Sequence, residues 1–97
     1  MSITTLTRFH AAAGQEETLL ELQSEGRRRM LSAAGCESFE ILRDDADQRS
    51  FVFIQRWASR EAHDSAFGEL IVASGHLKKV LATLDEGVVQ NFYEVVS

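Results

Sequence analysis

Three histidines, one tryptophan, one tyrosine and one cysteine carry most of the distinctive side-chain chemistry of this sequence. His76 follows Ser74-Gly75 and heads an apolar stripe of Leu77, Val80, Leu81 and Leu84. An imidazole there could move a proton near neutral pH, or could sit at the surface and cap the helix. Trp57 closes the apolar run Phe51-Val52-Phe53-Ile54. It reads either as a core residue or as a pocket wall that stacks on an aromatic ligand, and in both cases its buried N–H needs a partner. Gln55 shares the face of Trp57 and could orient a substrate hydroxyl or bond to neighbouring backbone. Asn91 and Tyr93 share one face of the last apolar run, placed to hydrogen-bond a ligand or to line a dimer seam. His63 stands near the start of the segment after Trp57, at the surface or at a pocket edge, and His10 reads as structural or exposed.

Other chemistries find little support. The histidines at positions 10, 63 and 76 show no paired spacing on one helix face, so no metal site is expected. Cys36 has no His or acid in a local nucleophile pattern and reads as a small buried hydrophobe. As the single cysteine it allows no intramolecular disulfide. Gly68 and Gly75 are too far apart, and lack the lysine, to cradle a phosphate.

The elements that must position these groups follow from periodicity. Ile3–Phe9 alternates and is rich in β-branched residues, which predicts a first strand. Gln15-Glu16-Glu17 puts acids in a first helical turn, where the helix dipole favours them. Leu19, Leu22, Met30 and Ala33 continue that helix at three- and four-residue steps, with Gly26 inside it and Gly35 as a left-handed cap. Cys36–Arg43 predicts a second strand, the turn Asp44–Gln48 a hairpin, and Ser50–Trp57 a third strand. A helical segment from Ser59 to about Ile71, unsettled by Gly68, precedes the helix opened by Ser74-Gly75. Val88–Val96 predicts the last strand. The order strand, helix, strand, strand, helix, strand is that of an α+β ferredoxin-like antiparallel sheet (βαββαβ) with helices on one face. Phe51 and Phe53 face opposite to Val52 and Ile54, so both sides of the sheet need cover. That predicts a homodimer closed sheet to sheet, with a ligand pocket between each sheet and its own helices.

The 97 residues form a single domain, 1–97, with 44% hydrophobic and 26% charged residues. A net charge of -5 argues against nucleic-acid binding, and Arg27-Arg28-Arg29 reads as a solvated face. With no leader-like N-terminus and no apolar stretch near about 18 residues, a cytoplasmic protein with no membrane contact is expected.

The sequence resembles the antibiotic biosynthesis monooxygenase family of small dimeric α+β barrel proteins, over nearly its whole length. The resemblance rests on Arg8-Phe9 and Gly14, on Gly35-Cys36, on Arg43-Asp44-Asp45, and above all on Phe51–Trp57 followed by Ser59, Glu61 and Ala62. It implies oxygenation of a small aromatic, phenolic or quinol-like substrate by dioxygen without metal, flavin or haem. A pocket base would remove a phenolic or enolic proton, and the anion would donate an electron to dioxygen. Under that reading His76, which resembles a displaced family histidine, is the base and Trp57 the pocket wall. Gln55, Asn91, Tyr93 and His63 would bind substrate. Gln55 and Ala66 replace the acid and histidine that family members often carry, and the rival expectation is a dimeric small-molecule-binding or sensing module without chemistry. The first strand offers Thr4, Thr5 and Thr7 but no asparagine, which weakens a haem-degrading reading.

Overall fold

The computed structural model describes residues 2–97. Strands β1 (Ile3–His10), β2 (Cys36–Arg43), β3 (Ser50–Trp57) and β4 (Val89–Glu94) form one antiparallel sheet in the order β2-β3-β1-β4. Helices α1 (Glu16–Leu31), α2 (Arg60–Ala66) and α3 (His76–Leu81) accompany them. The order and pairing are those of the expected ferredoxin-like fold. No described helix is long and apolar enough to cross a membrane.

Register explains which side chains meet. Thr7 pairs with Phe53 and Gln90, and Thr5 with Gln55 and Phe92, so these residues share the face that the helices cover. Leu6 pairs with Ile54 and Asn91 on the opposite face, where Leu42, Val89 and Tyr93 lie exposed.

The helix α1 buries Leu19, Gln23, Gly26 and Met30, one stripe at steps of three and four. Its first turn carries Glu16 and Glu17 and its last turn Arg28 and Arg29, both matched to the helix dipole. Gly35 takes φ +93°, and a Cβ there would meet the Ala62 Cβ at 2.8 Å. The glycine therefore turns the chain and lets α2 approach. Ser59 caps α2, its Oγ accepting from the Ala62 N–H at 3.1 Å.

The second helical layer departs from expectation. Instead of one helix to Ile71, α2 ends at Ala66 and the chain widens into a π-helical turn, Phe67–Val72, with the Ala73 N–H bonded to the Gly68 carbonyl at 2.9 Å. Carbonyls freed by this geometry are taken up locally. Leu70 accepts from Arg29 Nη1 at 3.1 Å and from Ser74 Oγ at 2.7 Å. The helix α3 is short and stops at Leu81, so Leu84 lies beyond it, in a bridge with Ala11.

One end of the sheet is tied by His10. Its Nδ1 lies 2.6 Å from Asp85 and its Nε2 3.0 Å from Asp47, joining β1 to the β2–β3 hairpin and to the segment before β4. The hydrogen bond to Asp85, then that to Asp47, raises the imidazole pKa above its ordinary 6.5. The cationic form is therefore the one the fold binds. Its contribution is complete below about pH 6.5, the unfolded value, and disappears as pH rises through the higher folded value. Melting temperatures of the wild type and of His10→Gln should differ most below that pH and converge in alkali. A difference that grows with pH would refute the clamp.

Candidate active site

Between the sheet and its helices lies a cavity of about 290 Å³. Two buried clusters flank it, one around Phe9, Leu19, Phe51 and Val80, the other around Met30, Phe39, Trp57 and Ile71. Its floor is a row of phenylalanines, with Phe9 and Phe39 ring centroids 4.5 and 5.0 Å from that of Phe53. Leu77, Val80 and Leu81 of α3 and Phe67 and Ile71 of the π-helical turn add to its walls. π-helical turns recur at functional sites, because the widened backbone re-aims side chains. Five lining residues carry polar side chains: Thr7, Gln23, Gln55, His76 and Gln90. Among the described residues, no Asp, Glu, Lys or Arg lines the space.

His76 is 4% exposed and belongs to the cavity wall, so neither a surface nor a simple capping role describes it. The ring reaches α1 at Gly26, where a Cβ would stand 3.1 Å from Nε2. This answers why a glycine sits inside α1: the space it leaves belongs to a side chain. The Glu25 carboxylate lies 3.3 Å from His76 Nδ1. Burial pushes the His76 pKa below 6.5, Arg29 and Lys79 act in the same direction, and Glu25 and the Leu22 carbonyl oppose it. The side chain is thus a neutral, proton-accepting imidazole at pH 7.

Trp57 is fully buried but does not line the cavity. Its Nε1 donates to Gln55 Oε1 at 2.9 Å. Indole offers only a donor, which settles the orientation of the amide: the Gln55 oxygen faces Trp57, and its two N–H donors remain for other partners. Gln55 itself is part of the wall. Trp57 therefore acts on the cavity through Gln55, and the pocket-wall reading is corrected to a core residue.

The remaining candidates are dispersed. Asn91 and Tyr93 lie on the outer face of the sheet, paired with Leu6 and Thr4, and Tyr93 is 50% exposed. Strand alternation puts them on the side away from the cavity, and Gln90 takes the inner position. His63 is neither at the surface nor on the wall, being 1% exposed and stacked on Phe67 with its edge contacts to Trp57 and Phe92. Its Nδ1 bonds to Asp64 at 2.9 Å. Ligand atoms of His10, Asp85 and Glu86 come within 4.8 Å of one another. Both His10 nitrogens are already bound to carboxylates, so this is an ion-pair clamp.

Gln23, Thr7 and Gln90 were not anticipated. Gln90 Nε2 donates to Thr7 Oγ1 at 3.1 Å, which leaves the threonine its own proton to give. Gln23 had a visible signal, since it stands on the apolar stripe between Leu19 and Met30.

The chain is thus a ferredoxin-like domain that encloses an apolar, aromatic-floored cavity with one buried histidine in its wall. The family model described as antibiotic biosynthesis monooxygenase matches residues 2–76, and the chain belongs to that family. Solved structures agree in fold. Rv0793 from Mycobacterium tuberculosis superposes with a TM-score of 0.90 at 18% identity, covering 100% of this chain and 97% of that one. A structure named antibiotic biosynthesis monooxygenase gives 0.89 at 17% identity, covering 98% and 99%. SnoaB from Streptomyces nogalater, described as a cofactor-independent oxygenase, gives 0.87 at 16% identity, covering 99% and 94%. No curated protein matches the sequence significantly.

The placement of Trp57 makes a stability prediction. Trp57→Ala should cost about 3–5 kcal/mol of unfolding free energy by removing a large buried side chain. Trp57→Phe keeps most of the packing but leaves Gln55 Oε1 without its donor, at about 1–3 kcal/mol. Urea denaturation measures both. A Trp57→Ala cost under about 1 kcal/mol, with ligand binding lost, would restore the pocket-wall reading.

Proposed function

We propose that this protein is a cofactor-independent monooxygenase acting on a small aromatic molecule of phenolic or quinol type, with His76 as its base. The observation that carries the reading is the buried His76 imidazole, its pKa lowered by burial, in the wall of an otherwise uncharged, aromatic-floored cavity. SnoaB, a cofactor-independent oxygenase of the same fold, lends it support.

The chemistry follows from the groups present. His76 accepts the proton of a phenolic or enolic hydroxyl, and the Glu25 carboxylate near Nδ1 steadies the imidazolium that forms. The Gln55 amide N–H groups, held by the indole, bear on the developing oxyanion. The electron-rich anion reduces dioxygen directly. Across the reaction the substrate loses four electrons and two hydrogens (SH2 + O2 → SO + H2O): one oxygen atom enters it, and the other leaves as water. An apolar cavity keeps bulk water from the anion. His76 and Gln55 touch substrate in this scheme, and Trp57 is a positioning residue.

Two copies joined through the outer sheet face would form the working unit. Leu42, Val89 and Tyr93 are exposed there beside Leu6, Val52 and Ile54, an apolar surface of the kind that monomers seldom leave open. Sedimentation at micromolar concentration should give a dimer, and Ile54→Lys, at the centre of that face, should give a folded monomer. A wild-type monomer would remove the dimer.

Oxygen uptake by metal-free protein, over a panel of hydroxynaphthalenes, anthrones and quinols, should exceed the spontaneous rate and fall about 10²–10⁴-fold in His76→Ala. Because the folded pKa of His76 is lowered, the base form persists below pH 6.5, and the acid limb of kcat/KM should lie below that value. Glu25→Gln removes a charge that raises the His76 pKa, so it should move the limb further down. Uptake unchanged in His76→Ala would move the base elsewhere. No uptake with any compound, alongside tight binding, would favour a binding module.

A further inference from the structure

Gln23 is the one polar side chain of the cavity wall for which the protein provides nothing. It is fully buried, it lines the cavity, and neither its amide oxygen nor its amide nitrogen has a hydrogen-bond partner. Gln55 is held by Trp57 and Gln90 by Thr7, but the Gln23 carboxamide is free at both ends. Buried polar groups are almost always paired, and leucine or methionine on the same stripe of α1 would have carried no such penalty. Gln23 also stands three residues before Gly26, hence on the face of α1 that meets the His76 ring.

We propose that Gln23 is the ligand-selecting residue of this cavity, and that it binds two adjacent oxygens of a catechol-type aromatic diol. The inference rests on the cavity being the substrate site and names the substrate class for it. A carboxamide presents an acceptor and a donor side by side, so it is fully satisfied only by a group that offers a donor and an acceptor equally close together. A lone phenol would pair one end and leave the other orphaned. A carboxylic acid also has two adjacent oxygens, but its anion would enter a space without a cationic side chain, against a large desolvation cost. A lactam matches the amide but brings no hydroxyl for His76 to deprotonate. A vicinal diol meets all three demands: one oxygen accepts from the Gln23 N–H, its neighbour donates to the Gln23 carbonyl, and the molecule stays neutral until His76 acts. The flat ring then lies over Phe9, Phe39 and Phe53. A volume near 290 Å³, at the lower end of small-molecule pockets, suits two fused rings.

The test is anaerobic titration calorimetry with 2,3-dihydroxynaphthalene, 2,6-dihydroxynaphthalene and 2-naphthol, on wild type and Gln23→Met. The wild type should bind the 2,3-diol at least about tenfold more tightly than the other two, the scale of one buried, fully paired amide. Gln23→Met should bind all three within about twofold of one another while melting no lower than the wild type, since it removes an unpaired group and keeps the volume. Equal binding of the three by the wild type, or a preference that survives in Gln23→Met, would overturn the role of Gln23 and leave the cavity as an aromatic site. A Gln23→Met protein that melts below the wild type would assign the amide to folding and likewise overturn it. Failure of every compound to bind the wild type would overturn the cavity reading itself.

Discussion

The contact between Gly26 and His76 sets the rest of the site. A Cβ at position 26 would come within 3.1 Å of the His76 ring, a tight contact that the ring could relieve only by shifting a few tenths of an ångström, so the glycine in α1 lets the histidine of α3 sit where it does. In the helix interior that glycine costs about 1 kcal/mol relative to alanine. What it permits is the burial of an imidazole against a helix, beside a carboxylate and away from bulk water. Burial and the nearby Arg29 and Lys79 then keep the ring neutral despite Glu25. A conformational weakness in one helix thus becomes a proton acceptor in the wall of a cavity.

The cavity itself comes from the uneven way the sheet is covered. A continuous helix of sixteen residues lies over one part of it, and its buried stripe packs closely at both ends. The other part is covered by α2, a π-helical turn and α3, of seven, six and six residues. Short pieces fill the space over the phenylalanine row less completely than one long helix would, and the cavity remains beside the two core clusters. Arg29 and Ser74 hold the π-helical carbonyls that would otherwise be unpaired. The break is therefore stabilised as a feature, and Phe67 and Ile71 keep their places on the wall.

Much of this was legible in the sequence, because it depends on periodicity. Alternation in Phe51–Trp57 and in the first strand specified which side chains share a face, and β2 falls where Phe39 and Ile41 placed it. Gly35 was readable as a left-handed glycine, although α1 ends earlier, at Leu31 with Ser32 as its cap, and Gly35 turns the chain into β2. Gln55 on the face of Trp57 followed from the same alternation, whereas for His76 the sequence left a surface or capping role open beside a pocket one. Tyr93 and Asn91 did not come out in the cavity, because alternation says that two residues share a face without saying which face a helix will cover. His63 was misjudged for a related reason. One turn into a short helix the burial of a ring depends on the neighbours, here Phe67, Trp57 and Phe92. The π-helical turn had no local signature beyond Gly68.

The division of labour between Trp57 and Gln55 shows why the most conspicuous residue of a sequence need not be the one that meets a ligand. The indole is the larger and rarer group, yet everything it contributes to the cavity passes through one hydrogen bond of 2.9 Å. That bond turns the Gln55 oxygen toward the indole and leaves the two amide N–H donors to face other partners. The same cavity wall carries an imidazole that acts as an acceptor and a Gln23 amide left with both capacities. Four phenylalanines supply affinity for a flat ring without regard to its substituents, so selectivity has to come from these few polar groups. A protein that needed only to hold an aromatic molecule could have filled positions 23, 55 and 76 with apolar side chains and gained stability. Keeping three hydrogen-bonding groups of different character in a space without charge makes physical sense for a ligand whose own hydroxyls must be placed, and one of them deprotonated.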